Sequence, residues 1–74
     1  MAKTMKYSVV LEPQPEGGFT VLVPALPEVV TEGDTEDEAL RMASEAIRLA
    51  LDYRKDNGLD IPKDAAPRVK KVAP

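Results

Sequence analysis

The spacing of hydrophobic residues along the chain changes from every second position to three- and four-residue steps, which separates predicted strands from a predicted helix. Apolar and polar residues alternate from Lys6 to Glu12 and again from Phe19 to Val23. The prolines and the glycine pair of Pro13 to Gly18 predict a hairpin turn between these two strands. Glu28 to Glu32 predicts a short third strand at the edge of the sheet.

The helical spacing predicts one long helix from Glu36 to Asp56. Thr35 and Glu38 have the spacing of a capping box, in which the threonine hydroxyl accepts from the Glu38 amide and the Glu38 carboxylate accepts from the Thr35 amide. Asn57 and Gly58 tolerate the left-handed conformation in which helices commonly end. The sequence therefore marks both ends of this element.

The apolar side of the predicted helix has small residues along its centre and large residues on both shoulders. The central line consists of Ala39, Ala43, Ala46 and Ala50. One shoulder consists of Leu40, Ile47 and Leu51, and the other of Met42, Leu49 and Tyr53. The alanine line suits close packing on a sheet, but the apolar arc is about 200° wide, twice what one packing surface needs. We expect Leu59 and Ile61 to cover part of it and a second subunit to cover the rest, in at least a dimer.

After Gly58 the chain is proline-rich, and only Arg68 to Val72 has strand character, with Val69 and Lys71 alternating against Lys70 and Val72. A short fourth strand there gives the order β-β-β-α-β. The predicted fold is a two-layer α+β sandwich, one long helix on a small antiparallel or mixed sheet. We expect residues 1–74 to form a single domain.

Composition narrows the possible functions. The chain of 74 residues has 43% hydrophobic and 31% charged residues, as soluble globular proteins do. Glu12 ends the first apolar run too early for a signal peptide or a membrane span, so a cytoplasmic protein is expected. The net charge of −3 disfavours direct nucleic-acid binding and suits a basic protein partner.

Histidine and cysteine are both absent, which removes the usual general base, nucleophile and transition-metal ligands. Acidic residues crowd around the helix start: Glu32, Asp34, Glu36, Asp37 and Glu38. Helix capping and the helix dipole account for them, with Asp34 and Asp37 as an alternative capping pair one residue earlier. A divalent-cation site is the competing interpretation. We expect no catalytic residues, no cofactor and no metal.

The segment from Pro24 to Ile47 resembles the hallmark of the HicB family, the antitoxins of HicA-HicB toxin-antitoxin pairs. The similar features, in order, are the proline ending strand two, Leu26-Pro27, Thr31-x-Gly33-Asp34-Thr35, Glu38-Ala39 and Ala43-x-Glu45-Ala46-Ile47. The opening hairpin from Tyr7 to Val23 and Ile61-Pro62 after the helix are also similar to the family. The chain departs from the family at Glu28-Val29, where Gly-Cys or Gly-x is common, and at Ala25, where an acid is frequent.

The resemblance implies a partial ribonuclease-H-like fold without the catalytic acids, assembled as dimers or larger oligomers. It also implies binding to a small basic toxin of double-stranded-RNA-binding fold, a ribonuclease that cleaves mRNA. Family members that repress their own operon carry a C-terminal DNA-binding module, and the sixteen residues after Gly58 are too few for one. Direct DNA binding is therefore not expected.

The leading hypothesis is a non-enzymatic protein-binding module, a HicB-like antitoxin or orphan relative that neutralises a HicA-type toxin. Its candidate partner-binding residues are Glu32, Asp34, Glu36 and Asp37. One alternative is a stand-alone oligomeric binding protein with an unknown ligand. The other is a metal-dependent nuclease remnant that uses the same acids.

Overall fold

The computed structural model describes residues 5–74 and contains three antiparallel strands followed by one helix. The elements are β1 (Val10–Pro13), β2 (Phe19–Leu22), β3 (Val30–Gly33) and α1 (Glu36–Asp56). The strands lie in the order β1-β2-β3, which confirms the α+β class. Residues 1–4, part of the segment assessed for a signal peptide, lie outside the described range. No helix formed by residues 5–74 is long and apolar enough to cross a membrane.

β1 begins four residues later than the predicted start at Lys6. It pairs with β2 in a register that matches Val10 with Leu22, so that Ser8 falls level with Pro24, which has no amide hydrogen to donate to the Ser8 carbonyl. The Ser8 amide donates to a carboxylate oxygen of Asp64, at 2.7 Å, rather than to β2. The first strand is short because its leading residues pair with the chain that follows the helix rather than with β2.

The turn between β1 and β2 confirms the predicted hairpin. The Gln14 amide donates to the Gly18 carbonyl and the Gly17 amide donates to the Gln14 carbonyl, both at 3.0 Å. Gly17 and Gly18 have φ angles of 101° and 83°, in the region that favours glycine. The glycine pair therefore lets the chain reverse within five residues.

Two consecutive turns connect β2 to β3. The Leu26 amide donates to the Val23 carbonyl and the Val29 amide donates to the Leu26 carbonyl, each at 2.9 Å. These turns delay β3 to Val30, two residues after the predicted start, and they bury the side chains of Leu26 and Val29. β3 lies at the edge of the sheet, as predicted.

The line of alanines faces the sheet. Ala39 and Ala43 are buried against Val21, with Val9, Leu11 and Phe19 around them, and a second cluster forms around Val23, Leu26 and Val29. A Cβ atom at Gly33 would lie 2.4 Å from the Ala39 backbone nitrogen, so β3 and α1 meet backbone to backbone. Small residues on both sides make this close approach possible.

The helix has the predicted bounds and a modified cap. The Thr35 hydroxyl accepts from the Glu38 amide at 3.1 Å, as expected. The second half of the capping box is wrong, because the Glu38 carboxylate accepts from the Asp34 amide, at 3.0 Å, rather than from Thr35. The carboxylate thus reaches one residue further back and fixes the connection between β3 and α1.

The helix ends in a Schellman motif. Gly58 has a φ of 67°, and its amide donates to the Lys55 carbonyl at 3.3 Å. The Leu59 amide donates to the Arg54 carbonyl at 2.8 Å. The predicted stop at Asn57-Gly58 is confirmed.

The predicted fourth strand is wrong: residues 68–72 form no strand in the described chain, and the observed order is β-β-β-α. The chain after the helix is held at the start of β1, where the Tyr7 hydroxyl donates to the Pro62 carbonyl at 2.6 Å. Beyond Asp64 every residue is exposed, including Val69 at 85% and Val72 at 88%. A strand requires a neighbour with free backbone groups, and residues 68–72 meet none within their own chain.

Candidate functional site

The four candidate partner-binding residues lie at one end of the molecule. Glu32 is near the end of β3, Asp34 is in the connection to α1, and Glu36 and Asp37 are in the first turn of α1. All four side chains are exposed. Sequence proximity places them together, and the direct step from strand to helix keeps them on one surface.

The hairpin turn brings a fifth acid to this surface, which the sequence did not single out. Glu16 and Gly17 line the same groove as Glu32, Asp34 and other residues of the β3–α1 connection. Glu16 is sixteen residues from Glu32 along the chain, and the antiparallel pairing of β1, β2 and β3 closes that separation. We call this acidic end, defined by Glu16, Glu32, Asp34, Glu36 and Asp37, the acidic rim.

The acidic rim supplies carboxylates that can accept hydrogen bonds from lysine and arginine side chains of a partner. Glu38 differs from the others, since its carboxylate already accepts from the Asp34 amide. Across residues 5–74, no three acidic side chains converge as a metal ion would require. The geometry therefore suits a contact with a basic surface.

The outer face of the sheet, which faces away from α1, continues from the acidic rim. Strand pairing places Val10, Leu22 and Val30 in one apolar row across the sheet, and Val30 is 61% exposed. The next row consists of Glu12, Thr20 and Glu32. This face combines apolar area with acidic charge, so it suits a partner that is both apolar and basic.

An ion pair joins the β2–β3 connection to the end of the helix. Arg54 binds both carboxylate oxygens of Glu28, with Nε at 2.9 Å and Nη2 at 3.0 Å, and its Nη1 donates to the Asp60 carbonyl at 3.1 Å. Hydrogen bonds from its own backbone amide and from Arg54 lower the pKa of Glu28, outweighing partial desolvation. Sequence reasoning missed this pair because its members are 26 residues apart.

A separate cleft of about 620 Å³ lies between the residues that precede β1 and the helix. Its apolar wall consists of Met5, Tyr7, Val9, Leu40, Ile47 and Leu51. Lys6 and Arg48 add positive charge at its margin. The cleft is separate from the acidic rim and has the opposite charge.

Comparison of the sequence with known proteins identifies a family. The sequence model of the HicB-like antitoxin of bacterial toxin-antitoxin systems matches residues 7–73. The chain belongs to the HicB-like antitoxin family.

Named relatives of this HicB-like chain include antitoxin HicB 1 of Photorhabdus laumondii, 45% identical over 60 residues that make up 81% of this chain and 39% of that protein. Antitoxin HicB of Escherichia coli K12 is 45% identical over 56 residues, 74% of this chain and 41% of that protein. The chain thus spans about two fifths of the length of these antitoxins. A UPF0150 protein of Thermoplasma acidophilum is 40% identical over 65 residues, 88% of this chain and 94% of that protein.

The segment that resembles HicB proteins has a defined structural role here. Leu26 forms part of the core between the two turns, and Gly33 lets α1 approach the sheet. At the departure from the family pattern, Val29 is buried and Glu28 binds Arg54. Both residues at this departure are therefore used in the packing of this chain, one in the core and one in an ion pair with α1.

Proposed function

We propose that this chain is a non-enzymatic antitoxin that binds a HicA-type toxin, a basic ribonuclease, and blocks its cleavage of mRNA. Membership of the HicB-like antitoxin family over residues 7–73 is the observation that carries this proposal. The named HicB relatives are called antitoxins, and one of them is 45% identical to this chain. A partner that cleaves mRNA would place the complex in the cytoplasm.

We propose the acidic rim as the toxin contact, with Glu32, Asp34, Glu36 and Asp37 as its principal residues. The support is that all four are exposed and share one surface with the outer face of the sheet. Charges of opposite sign steer association and fix orientation, so the acids would raise the rate of encounter with a basic toxin.

The test of neutralisation is an mRNA-cleavage assay with the cognate HicA-type toxin and increasing amounts of this protein. Cleavage is expected to stop when the added protein supplies about one binding site per toxin molecule. Undiminished cleavage at about a tenfold excess of the protein would overturn the proposal.

The test of the contact surface compares two variants with the same change in charge. The first carries Glu32→Gln, Asp34→Asn, Glu36→Gln and Asp37→Asn. The control carries Glu45→Gln, Asp52→Asn, Asp56→Asn and Asp60→Asn, which neutralise exposed acids outside the rim. The rim variant should bind toxin at least about tenfold more weakly and associate more slowly, as fewer charges steer encounter. Equal affinities would show that net charge, and not the rim, matters.

The non-enzymatic role has its own test. The purified chain with Mg²⁺ or Mn²⁺ should leave RNA intact over hours. Metal-dependent degradation that disappears in the Asp34→Asn, Asp37→Asn variant would instead support a nuclease.

We further propose that the chain associates with itself, at least as a dimer. The support is the exposure of one apolar shoulder of α1, the one formed by Met42, Leu49 and Tyr53. Leu49 and Tyr53 are each 64% exposed and Met42 is 41% exposed, although Leu59 lies beside Tyr53. These residues follow one another along one shoulder of α1, and contiguous exposed apolar area marks interaction sites in soluble proteins.

A further inference from the structure

The hydrogen-bond ladder shows which backbone groups of β2 face β1. The Gln14 amide donates to the Gly18 carbonyl, which makes these two residues a hydrogen-bonded pair of the antiparallel ladder. Hydrogen-bonded and non-bonded pairs alternate along such a ladder. Thr20 and Leu22, two and four residues further along β2, therefore direct their backbone groups toward β1.

The same alternation identifies the open groups on the free edge of β3. Val21 of β2 must direct its backbone groups toward β3, where its partner is Thr31. The neighbours of Thr31, Val30 and Glu32, therefore direct their amides and carbonyls away from the sheet. These are the groups to which another strand would bind.

The free edge of β1 is less suited to an added strand. Pro13 lies between residues whose backbone groups bond to β2, so its own backbone groups face the free edge. Proline has no amide hydrogen to donate there. A proline on an edge strand is a common protection against pairing. The edge of β3 contains no proline.

We propose that residues 68–72 of a second copy of this chain bind to the edge of β3 as an antiparallel strand. The register that we propose pairs Val72 with Val30, Lys70 with Glu32, and Arg68 with Asp34. Two of these pairs, Val72 with Val30 and Lys70 with Glu32, lie on the outer face of the enlarged sheet, and Arg68 meets Asp34 just beyond the end of β3. Each pair is complementary, one apolar and two oppositely charged. Cross-strand pairs of both kinds stabilise sheets.

The strand must come from another copy because the chain's own residues 68–72 cannot reach β3. Asp64 is held at Ser8, beside the start of β1, at the edge of the sheet opposite β3. The position that Arg68 would occupy beside β3 lies about 14 Å across the sheet from Ser8 and about 20 Å along it. The four residues from Asp64 to Arg68 span at most about 14 Å when fully extended. The anchor on Ser8 therefore leaves residues 68–72 free for a neighbour.

The inner face of the added strand would meet the exposed shoulder of the helix. Leu40 lines the cleft beside β1, whereas Met42 lines a groove with Gly33, so the shoulder that begins at Met42 lies on the side of β3. In the proposed register Val69 lies next to Gly33, on this inner face. Its side chain would cover apolar area near Met42 that the isolated chain leaves exposed.

Charge favours the same arrangement. Residues 65–74 contain three basic residues and no acid, so the first 64 residues, with seven basic and thirteen acidic side chains, carry a net charge of −6. Two copies that exchange these segments form two identical contacts, as a closed dimer requires. This strand pairing is the contact for the self-association proposed above. Because it uses Glu32 and Asp34, the second copy and a toxin would compete for these two residues of the acidic rim.

The test measures the dissociation constant of the dimer by sedimentation at low salt for the full chain and four variants. Lys70→Glu should raise the constant at least about tenfold, since it places like charges opposite each other in both contacts. Combining it with Glu32→Lys should restore most of the affinity, and Glu32→Lys alone should weaken the dimer. Lys71→Glu is the control with the same charge change, because residue 71 lies on the other face beside Thr31, and it should have a clearly smaller effect.

The outcomes separate this inference from self-association itself. A wild-type mass of one chain at about 100 μM would overturn both. A dimer that Lys70→Glu leaves intact, or that Lys70→Glu and Lys71→Glu weaken equally, would overturn only the β3 pairing. Weakening by Lys70→Glu without rescue by Glu32→Lys would also overturn it, because the strand would then bind elsewhere. As a second readout, the amides of Val30 and Glu32 should exchange hydrogen more slowly as protein concentration rises.

Discussion

Single residues determine how closely the helix meets the sheet. At Gly33 the missing side chain is essential, because a Cβ atom would lie within 2.9 Å of three backbone atoms of Glu38 and Ala39. Backbone atoms at the start of a capped helix cannot move aside as a flexible side chain would. The glycine in the segment that resembles HicB proteins is therefore required by packing.

Gly33→Ala should lower the free energy of unfolding by about 3 kcal/mol, the upper part of the range for overpacked cores. Thermal unfolding followed by circular dichroism measures it. The matched control is Gly17→Ala, where the added Cβ meets nothing within 4 Å and only the φ of 101° opposes the change, at a cost of about 1–2 kcal/mol. A smaller loss for Gly33→Ala than for Gly17→Ala would contradict the proposed contact.

At the scale of elements, α1 depends on its two caps and the segment after it depends on a side-chain anchor. The Thr35 hydroxyl fixes the start of the helix, and the Schellman motif at Gly58 fixes its end. Past the helix, Asp64 accepts from both the amide and the hydroxyl of Ser8, at 2.7 and 2.8 Å. Each of these boundaries is thus fixed by one or two hydrogen bonds between named atoms.

Thr35→Ala should destabilise the protein by about 1 kcal/mol, because the Glu38 amide loses its acceptor. Thr35→Ser keeps the hydroxyl and should recover most of the loss. Urea unfolding of the three proteins gives the comparison. Equal stability of the alanine and serine variants would mean that the hydroxyl does not cap the helix.

The anchor at Asp64 should respond to acid. Hydrogen bonds from the amide and hydroxyl of Ser8 lower the pKa of Asp64 below its ordinary value, about 3.9. The pKa of Asp64 is lower when its carboxylate is bound to Ser8 than when it is free. The anchor therefore contributes its full stability above the ordinary pKa, and this contribution is lost as pH falls through the pKa of the bound carboxylate. We expect the Ser8 amide resonance to be constant near neutral pH and to shift as pH falls below about 4.

Two variants test this assignment. Asp64→Asn should remove the acid-dependent shift of the Ser8 amide, since no carboxylate remains to titrate. Asp60→Asn is the control. Asp60 bonds Arg54 through its backbone carbonyl, which the substitution keeps, so the acid-dependent shift of the Ser8 amide should remain. A Ser8 shift that persists in Asp64→Asn would show that another group causes it.

The molecule as a whole has a small hydrophobic core. Only six hydrophobic residues are buried among those described, and two of them are alanines. Chains of this size gain little stability from a core alone, and this one has no cysteine for a disulfide. Binding to the folded state, by a toxin or a second copy, would therefore raise its stability appreciably.

The midpoint of thermal unfolding should rise with protein concentration if self-association stabilises the fold. Between about 5 and 200 μM we expect an increase of several degrees, because mass action favours the associated folded state. Lys70→Glu should reduce this dependence, and Lys71→Glu should change it less. A midpoint that does not vary with concentration would contradict association in this range.

Features that depend on neighbours within about four residues could be predicted from the amino-acid sequence. The bounds of α1, its Thr35 cap, its stop at Gly58, the face that carries Ala39 and the hairpin turn all follow from such local signals. Four acids of the rim, Glu32, Asp34, Glu36 and Asp37, were found for the same reason, because they are close together in the chain, whereas Glu16 was not. The physical basis is that helix and turn geometry is fixed by short-range sterics and hydrogen bonds.

Features that depend on residues far apart in the chain became known only from the folded arrangement. The start of β1, the pairing of Glu28 with Arg54 and the absence of a fourth strand at residues 68–72 each follow from which groups meet across the fold. The fourth strand shows the reason most clearly. Residues 68–72 have the alternation of a strand, but alternation supplies no hydrogen-bonding partner, and the anchor of Asp64 on Ser8 holds the segment away from the edge of β3 in its own chain.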